Sequence, residues 1–204
     1  MSIVNYNGGS VLAMAGKDCV GIACDKQFTI QYTTVDTNYT KIYEMGPKIF
    51  VGIPGLATDA ITLSQRLKFR QNMFELRENR KMNPNILASL ISNMLYEKRF
   101  GPYFVEPIIA ALDKTNKPIL YSYDSIGSYY QHNEFVSAGS ATVQILGACE
   151  SLWEPNLEPD DLFETLSQCI LTGCERDAKS GHGAYVYIIE KDKVTISDLK
   201  TRMD

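Results

Sequence analysis

The chain has 204 residues, 45% of them hydrophobic and 22% charged, which suits one core of ordinary size, since single cores of roughly 100–250 residues are the norm. Its net charge of -4, from 24 acidic and 20 basic side chains, argues against a nucleic-acid partner held by charge. No uncharged apolar run approaches the roughly 20 residues that cross a bilayer, and the opening residues lack the basic and apolar regions of a secretory signal, so a soluble intracellular protein with no membrane partner is expected.

Residues 11–14 and 19–24 are short β-prone runs parted by Ala15-Gly16-Lys17-Asp18, which predicts an opening hairpin. Residues 41–45 and 48–53 flank the turn dipeptide Gly46-Pro47 and predict a second pair, so four strands are expected before any helix. From Leu56 the period changes: Leu56, Ala60, Leu63, Leu67 and Phe74 fall at helical spacing. Asn83-Pro84 then supplies an N-cap and a first-turn proline, and Ile86, Leu87, Leu90, Ile91, Met94 and Leu95 trace the apolar stripe of a second helix beside the first.

Strand character returns over 107–112 and 118–123, and again over 134–138, with Tyr129-Tyr130-Gln131-His132-Asn133 reading as a polar turn. After Gly139 the chain turns helical, and Pro159-Asp160-Asp161 is an acidic start suited to the positive end of a helix dipole. Leu162, Phe163, Leu166, Cys169, Ile170 and Gly173 form its apolar face, and 184–190 with 194–197 predict a closing hairpin. Strands and helices do not alternate, which excludes a doubly wound parallel sheet. An α+β arrangement of two antiparallel sheets covered by helix pairs, the four-layer αββα sandwich, is one of several that this order permits.

The five cysteines, Cys19, Cys24, Cys149, Cys169 and Cys174, sit among apolar neighbours without CxxC spacing and read as small buried thiols rather than metal ligands. His132 and His182 read as surface or loop histidines, since no GxSxG serine elbow accompanies them. Gly52-Ile53-Pro54-Gly55 and Gly181-His182-Gly183 lack the full phosphate-binding fingerprint, so no nucleotide cofactor is expected. The concentration Arg66, Lys68, Arg70, Arg77, Arg80 and Lys81 reads as a solvated helix face or as a surface for a neighbouring chain.

Taken together, the stretch 9–25, Lys41, Ala138-Gly139-Ser140 and Arg176-Asp177-Ala178-Lys179-Ser180-Gly181 resemble a beta-type subunit of the 20S proteasome, in the N-terminal nucleophile hydrolases. Three runs, Gly55-Leu56-Ala57-Thr58-Asp59, Tyr96-Glu97-Lys98-Arg99-Phe100-Gly101-Pro102-Tyr103 and Cys149-Glu150-Ser151-Leu152-Trp153-Glu154-Pro155-Asn156, are similar to the type-3 branch of that family. The resemblance implies the αββα sandwich over the whole chain, 1–204. It implies partners in the same and opposite beta rings and in the alpha rings, unfolded polypeptide substrates inside the chamber, and work in cytoplasm and nucleus.

Active relatives use an amino-terminal threonine whose own amine relays the proton. By the resemblance, its position here is Gly9, which carries no nucleophile, while Asp25 and Lys41 match the orienting aspartate and tuning lysine. Ser140, Asp177 and Ser180 match the supporting network. The expectation is a non-catalytic subunit with these groups kept for structure, without cofactor or metal. The alternative is an independent amidase maturing at Ser10; against it, Ser10 lies one residue further along a strand, so its hydroxyl should face away from Asp25 and Lys41. The sequence opens at Met1, and no removal of a propeptide is expected. Finally, Asp124 and Ser128, in the turn Asp124-Ser125-Ile126-Gly127-Ser128, match positions that line the substrate cleft of the adjacent trypsin-like subunit; a plain polar turn is the competing reading.

Overall fold

The computed structural model describes residue 3 and residues 6–202; of the carboxy-terminal tail, Met203 and Asp204 lie outside the described residues. Strands β1 (Ser10–Ala15) and β2 (Val20–Asp25) form the opening hairpin. They are buried along their whole lengths, because both faces of their sheet are covered, which explains why they read as nearly continuous apolar runs rather than as alternating ones. With β10 (Phe135–Gly139), β11 (Ala184–Ile189) and β12 (Val194–Leu199) they build an antiparallel sheet in the order β10-β1-β2-β11-β12.

The second five-stranded sheet runs β5-β6-β7-β8-β9, from β5 (Ile42–Gly46), β6 (Ile49–Gly52), β7 (Ile108–Leu112), β8 (Pro118–Tyr123) and β9 (Tyr129–His132). Between the sheets lie Val11, Ala13, Ile22 and Cys24 from one and Phe50, Ile108, Ala110 and Leu120 from the other. The opposite parity faces outwards. Val51, Ile109 and Ala111 meet α1 (Ala57–Glu78) and α2 (Pro84–Tyr96) through Leu63, Leu67, Leu87 and Ile91. Leu12, Met14, Ala23 and Val186 meet α3 (Thr142–Leu152) and α4 (Pro159–Glu175) through Ile145, Leu162, Leu166 and Ile170. The four layers are thus helix pair, sheet, sheet, helix pair, as expected for the αββα sandwich.

Local signals explain the helix ends. Asn83 Oδ1 accepts from the Ile86 amide at 2.8 Å, with Pro84 in the first turn. Asp160 and Asp161 fill the first turn of α4. Helix α1 has no side-chain cap of its own at Leu56; Asn7 Oδ1, from far away in sequence, accepts its Ala57 amide at 2.9 Å.

Two sequence expectations need correction. Among the described residues six strands, not four, precede the first helix, because β3 (Phe28–Ile30) and β4 (Thr33–Asp36) form a separate two-stranded ribbon. It is short and largely exposed, so no hydrophobic alternation marks it. The supposed turn at Tyr129–His132 is β9, the edge strand paired with β8; its exposed tyrosines and polar residues suit an edge that water reaches. His132 is accordingly a strand residue, with Nε2 2.8 Å from Ser122 Oγ.

Candidate functional site

At the start of β1 the polypeptide passes through Gly8 and Gly9 with φ of 66° and 102°, a region that residues with a Cβ rarely adopt. Space also requires glycine at position 9. A Cβ there would lie 2.2 Å from Lys41 Cε, so the lysine stem occupies the volume into which any side chain of residue 9 would project. Lys41, the residue just before β5, reaches Asp25 at the end of β2, with Nζ 2.9 Å from Oδ1. Both groups are buried, Asp25 completely.

The Lys41 ammonium also donates to the Asp25 and Gln27 carbonyls at 3.0 and 2.9 Å. Its three protons therefore all have protein acceptors. Asp25 accepts from the Ser10 amide at 2.8 Å through Oδ1, and from the Gln27 and Gly181 amides at 3.2 and 3.3 Å through Oδ2. A buried ion pair survives only when its remaining hydrogen-bonding capacity is filled in this way.

A second group of polar residues adjoins the first. Asp177 Oδ2 accepts from Ser140 and Ser180 hydroxyls, and Ser140 Oγ accepts from the Gly9 amide at 3.2 Å. Ser10 Oγ lies 2.9 Å from Ser180 Oγ and accepts from the Ala141 amide at 3.0 Å. The structure thus brings together Gly9, Asp25, Lys41, Ser140, Asp177 and Ser180. It ties β1, β2, β5, the loop after β10 and the loop between α4 and β11 into one cluster.

Ser10 belongs to that cluster in a fixed way. It is fully buried, pairs with Gly139 in the β1–β10 ladder, and turns its hydroxyl towards α3 while Lys41 packs at Gly9. The cleft lined by Gly8, Gly9, Pro54, Gly55, Glu106, Gly139 and Ser140 has a volume of only about 60 Å³. The thiols around the cluster offer no substitute nucleophile: burial pushes both Cys24 and Cys174 up, Cys174 with the charge of Asp25 as the next cause.

Sequence reasoning missed Asn7, Gln27 and Thr29. Asn7 donates to the Thr29 carbonyl at 2.9 Å and accepts, through its backbone carbonyl, from Thr29 Oγ1; with the contact to α1 it fixes the path of the chain just before Gly8. No motif marks these residues, since their roles follow from the register of the missed ribbon.

Asp124 and Ser128 do not join the cluster. They close the β8–β9 hairpin, where Asp124 Oδ1 accepts from the Ile126 and Ser128 amides at 3.0 and 2.8 Å. Both residues are exposed. His182 takes a positive φ of 56°, and its Nδ1 is buried without a partner; burial lowers the pKa of His132, favouring the neutral ring beside Ser122.

Comparison with known proteins fits this arrangement. The proteasome subunit family matches residues 5–189. The chain is 53% identical to proteasome subunit beta type-3 of Drosophila melanogaster and 48% identical to that of Caenorhabditis elegans, in both cases over the whole of each chain. It is 48% identical to proteasome subunit beta type-3 of Saccharomyces cerevisiae over 98% of each. A two-sheet sandwich covered by helix pairs, a family match over residues 5–189 and full-length relatives of one kind lead to one conclusion: the chain belongs to the proteasome subunit family, as a beta-type member.

Proposed function

We propose that this subunit of the proteasome core is non-catalytic and contributes geometry to the particle rather than a cutting group. One observation carries the reading: position 9, where active relatives place threonine, is a glycine whose side-chain space is filled by the Lys41 stem. The same lysine spends every proton on Asp25 and on backbone carbonyls, so it has none left to tune a hydroxyl. Asp25, Lys41, Ser140, Asp177 and Ser180 are structural here, holding two sheets and two loops in register.

In this reading the chain occupies one place in a seven-membered beta ring, against a second beta ring and an alpha ring, around a chamber where unfolded proteins are degraded in a ubiquitin-dependent way. Its exposed apolar residues, among them Phe69, Leu76, Phe100 and Val143, suit burial against other chains better than contact with water. In this reading it works, as part of that assembly, in cytoplasm and nucleus. The competing amidase that matures at Ser10 is disfavoured by the burial of Ser10 and by the size of the cleft beside it.

Native mass measurement of the purified material tests this reading, with a particle of many different chains as the expected result and a free, active single chain as the contrary one. A further role concerns the adjacent trypsin-like site. Asp124 Oδ1 is engaged in its own turn, whereas the carboxylate as a whole stays exposed and able to attract basic substrate residues. Asp124→Asn keeps an acceptor for the turn and removes the charge. In the assembled particle it should lower kcat/KM for basic peptides severalfold and leave assembly unchanged; equal kinetics would remove the idea.

A further inference from the structure

Helices α3 and α4 pack along a seam of unusually small residues. A Cβ added at Gly173 of α4 would lie 2.3 Å from Ile145 Cγ1 of α3, so the helices approach closely at that level. One turn along, four residues later on α3 and four earlier on α4, the register brings Cys149 opposite Cys169. Both are wholly buried in the same apolar cluster, and each thiol is the neighbour that most perturbs the other's ionisation. All five cysteines are free thiols. From this we infer that Cys149 and Cys169 form a dithiol that peroxide converts to a disulfide, stapling α3 to α4.

Access comes through α3. Only Ile145 and Cys149 of this helix are buried, and its amino terminus has no side-chain cap. A helix with so few buried side chains opens locally more often than the whole fold does. The neighbouring thiol lowers Cys169 and, together with burial, raises Cys149, which favours Cys169 as the first nucleophile.

Cys169 loses its proton and its thiolate attacks a peroxide oxygen; the O–O bond breaks, giving Cys169 sulfenic acid and hydroxide, which takes that proton to become water. Cys149 sulfur then attacks Cys169 sulfur, the S–O bond breaks, and the departing hydroxide leaves as a second water with the Cys149 proton. Two electrons and two protons pass from the dithiol to the peroxide. The staple joins two elements that lead into the polar cluster, since α3 follows Ser140 and α4 precedes Asp177.

The test treats the assembled particle with hydrogen peroxide, alkylates it under denaturing conditions and maps its peptides. The expected result is a cross-link between the peptides holding Cys149 and Cys169, with Cys19, Cys24 and Cys174 alkylated as before. Hydrogen exchange of α3 amides should slow by roughly fivefold or more, because the link suppresses local opening. Cys169→Ala, a small change at a small-residue seam, should abolish both effects, whereas Cys174→Ala should abolish neither. Full alkylation of Cys149 and Cys169 after peroxide, or the same slowing in Cys169→Ala, overturns the inference.

Discussion

Replacing Asp25 by alanine should destabilise the subunit by about 3–5 kcal/mol, because it leaves the Lys41 ammonium buried without its counter-ion. The effect extends beyond one pair. The Ser10, Gln27 and Gly181 amides lose their acceptor together, and a buried donor left unmade costs its desolvation. For a chain of this length the thermal midpoint should fall by roughly 10 °C. Asp25→Asn, which keeps the shape and an acceptor oxygen but loses the charge, should fall between the variant and the parent. Thermal unfolding followed by circular dichroism separates these outcomes, and an Asp25→Ala midpoint equal to the parent's would show that the pair holds nothing together.

Gly9→Thr is the second large effect, and it should not create a protease. The new Cβ meets the Lys41 stem, and φ of 102° is unfavourable for any residue with a side chain. Strain of about 1–3 kcal/mol from the backbone is joined by overpacking of about 1–3 kcal/mol. If Lys41 moves aside, it abandons Asp25 and two carbonyls, so either response weakens the same cluster. Gly9→Ala should cost nearly as much, which separates lack of space from lack of a hydroxyl. Chain cleavage after Gly8 in Gly9→Thr, read by amino-terminal sequencing, would instead mean that the remaining groups still work as a catalytic set.

The elements that sequence reasoning found were those whose periodicity or punctuation is strong. The Asn83-Pro84 pair marks the start of α2, Gly46-Pro47 marks the β5–β6 turn, and the apolar stripes of α1 and α4 face the sheets as their spacing demands. Strands β3, β4 and β9 were not legible because they are short and mostly exposed; pairing with a neighbour defines them, and pairing leaves no local pattern. The layer order came from the family resemblance, since the succession of elements alone allowed other α+β packings.

The candidate site divides in the same way. Gly9, Asp25, Lys41, Ser140, Asp177 and Ser180 were named through resemblance, and the structure adds what no motif carries: the Lys41 stem lies against the Gly9 α-carbon, and Ser10 holds the two polar groups together. Asn7 and Thr29 could not be foreseen, because their partners are backbone atoms placed by a ribbon that was itself missed. The Cys149–Cys169 contact escaped for a different reason. Each cysteine reads as a small apolar residue by itself, and only the antiparallel register of α3 and α4 sets them face to face.

The most direct measurement exposes the assembled particle to an electrophilic peptide probe and examines every chain for adducts and new amino termini. Labelled neighbours beside an unlabelled copy of this chain, with Gly8, Gly9 and Ser10 recovered in one continuous peptide, is the predicted result. An acyl adduct on Ser10, or a free amine there, would contradict it.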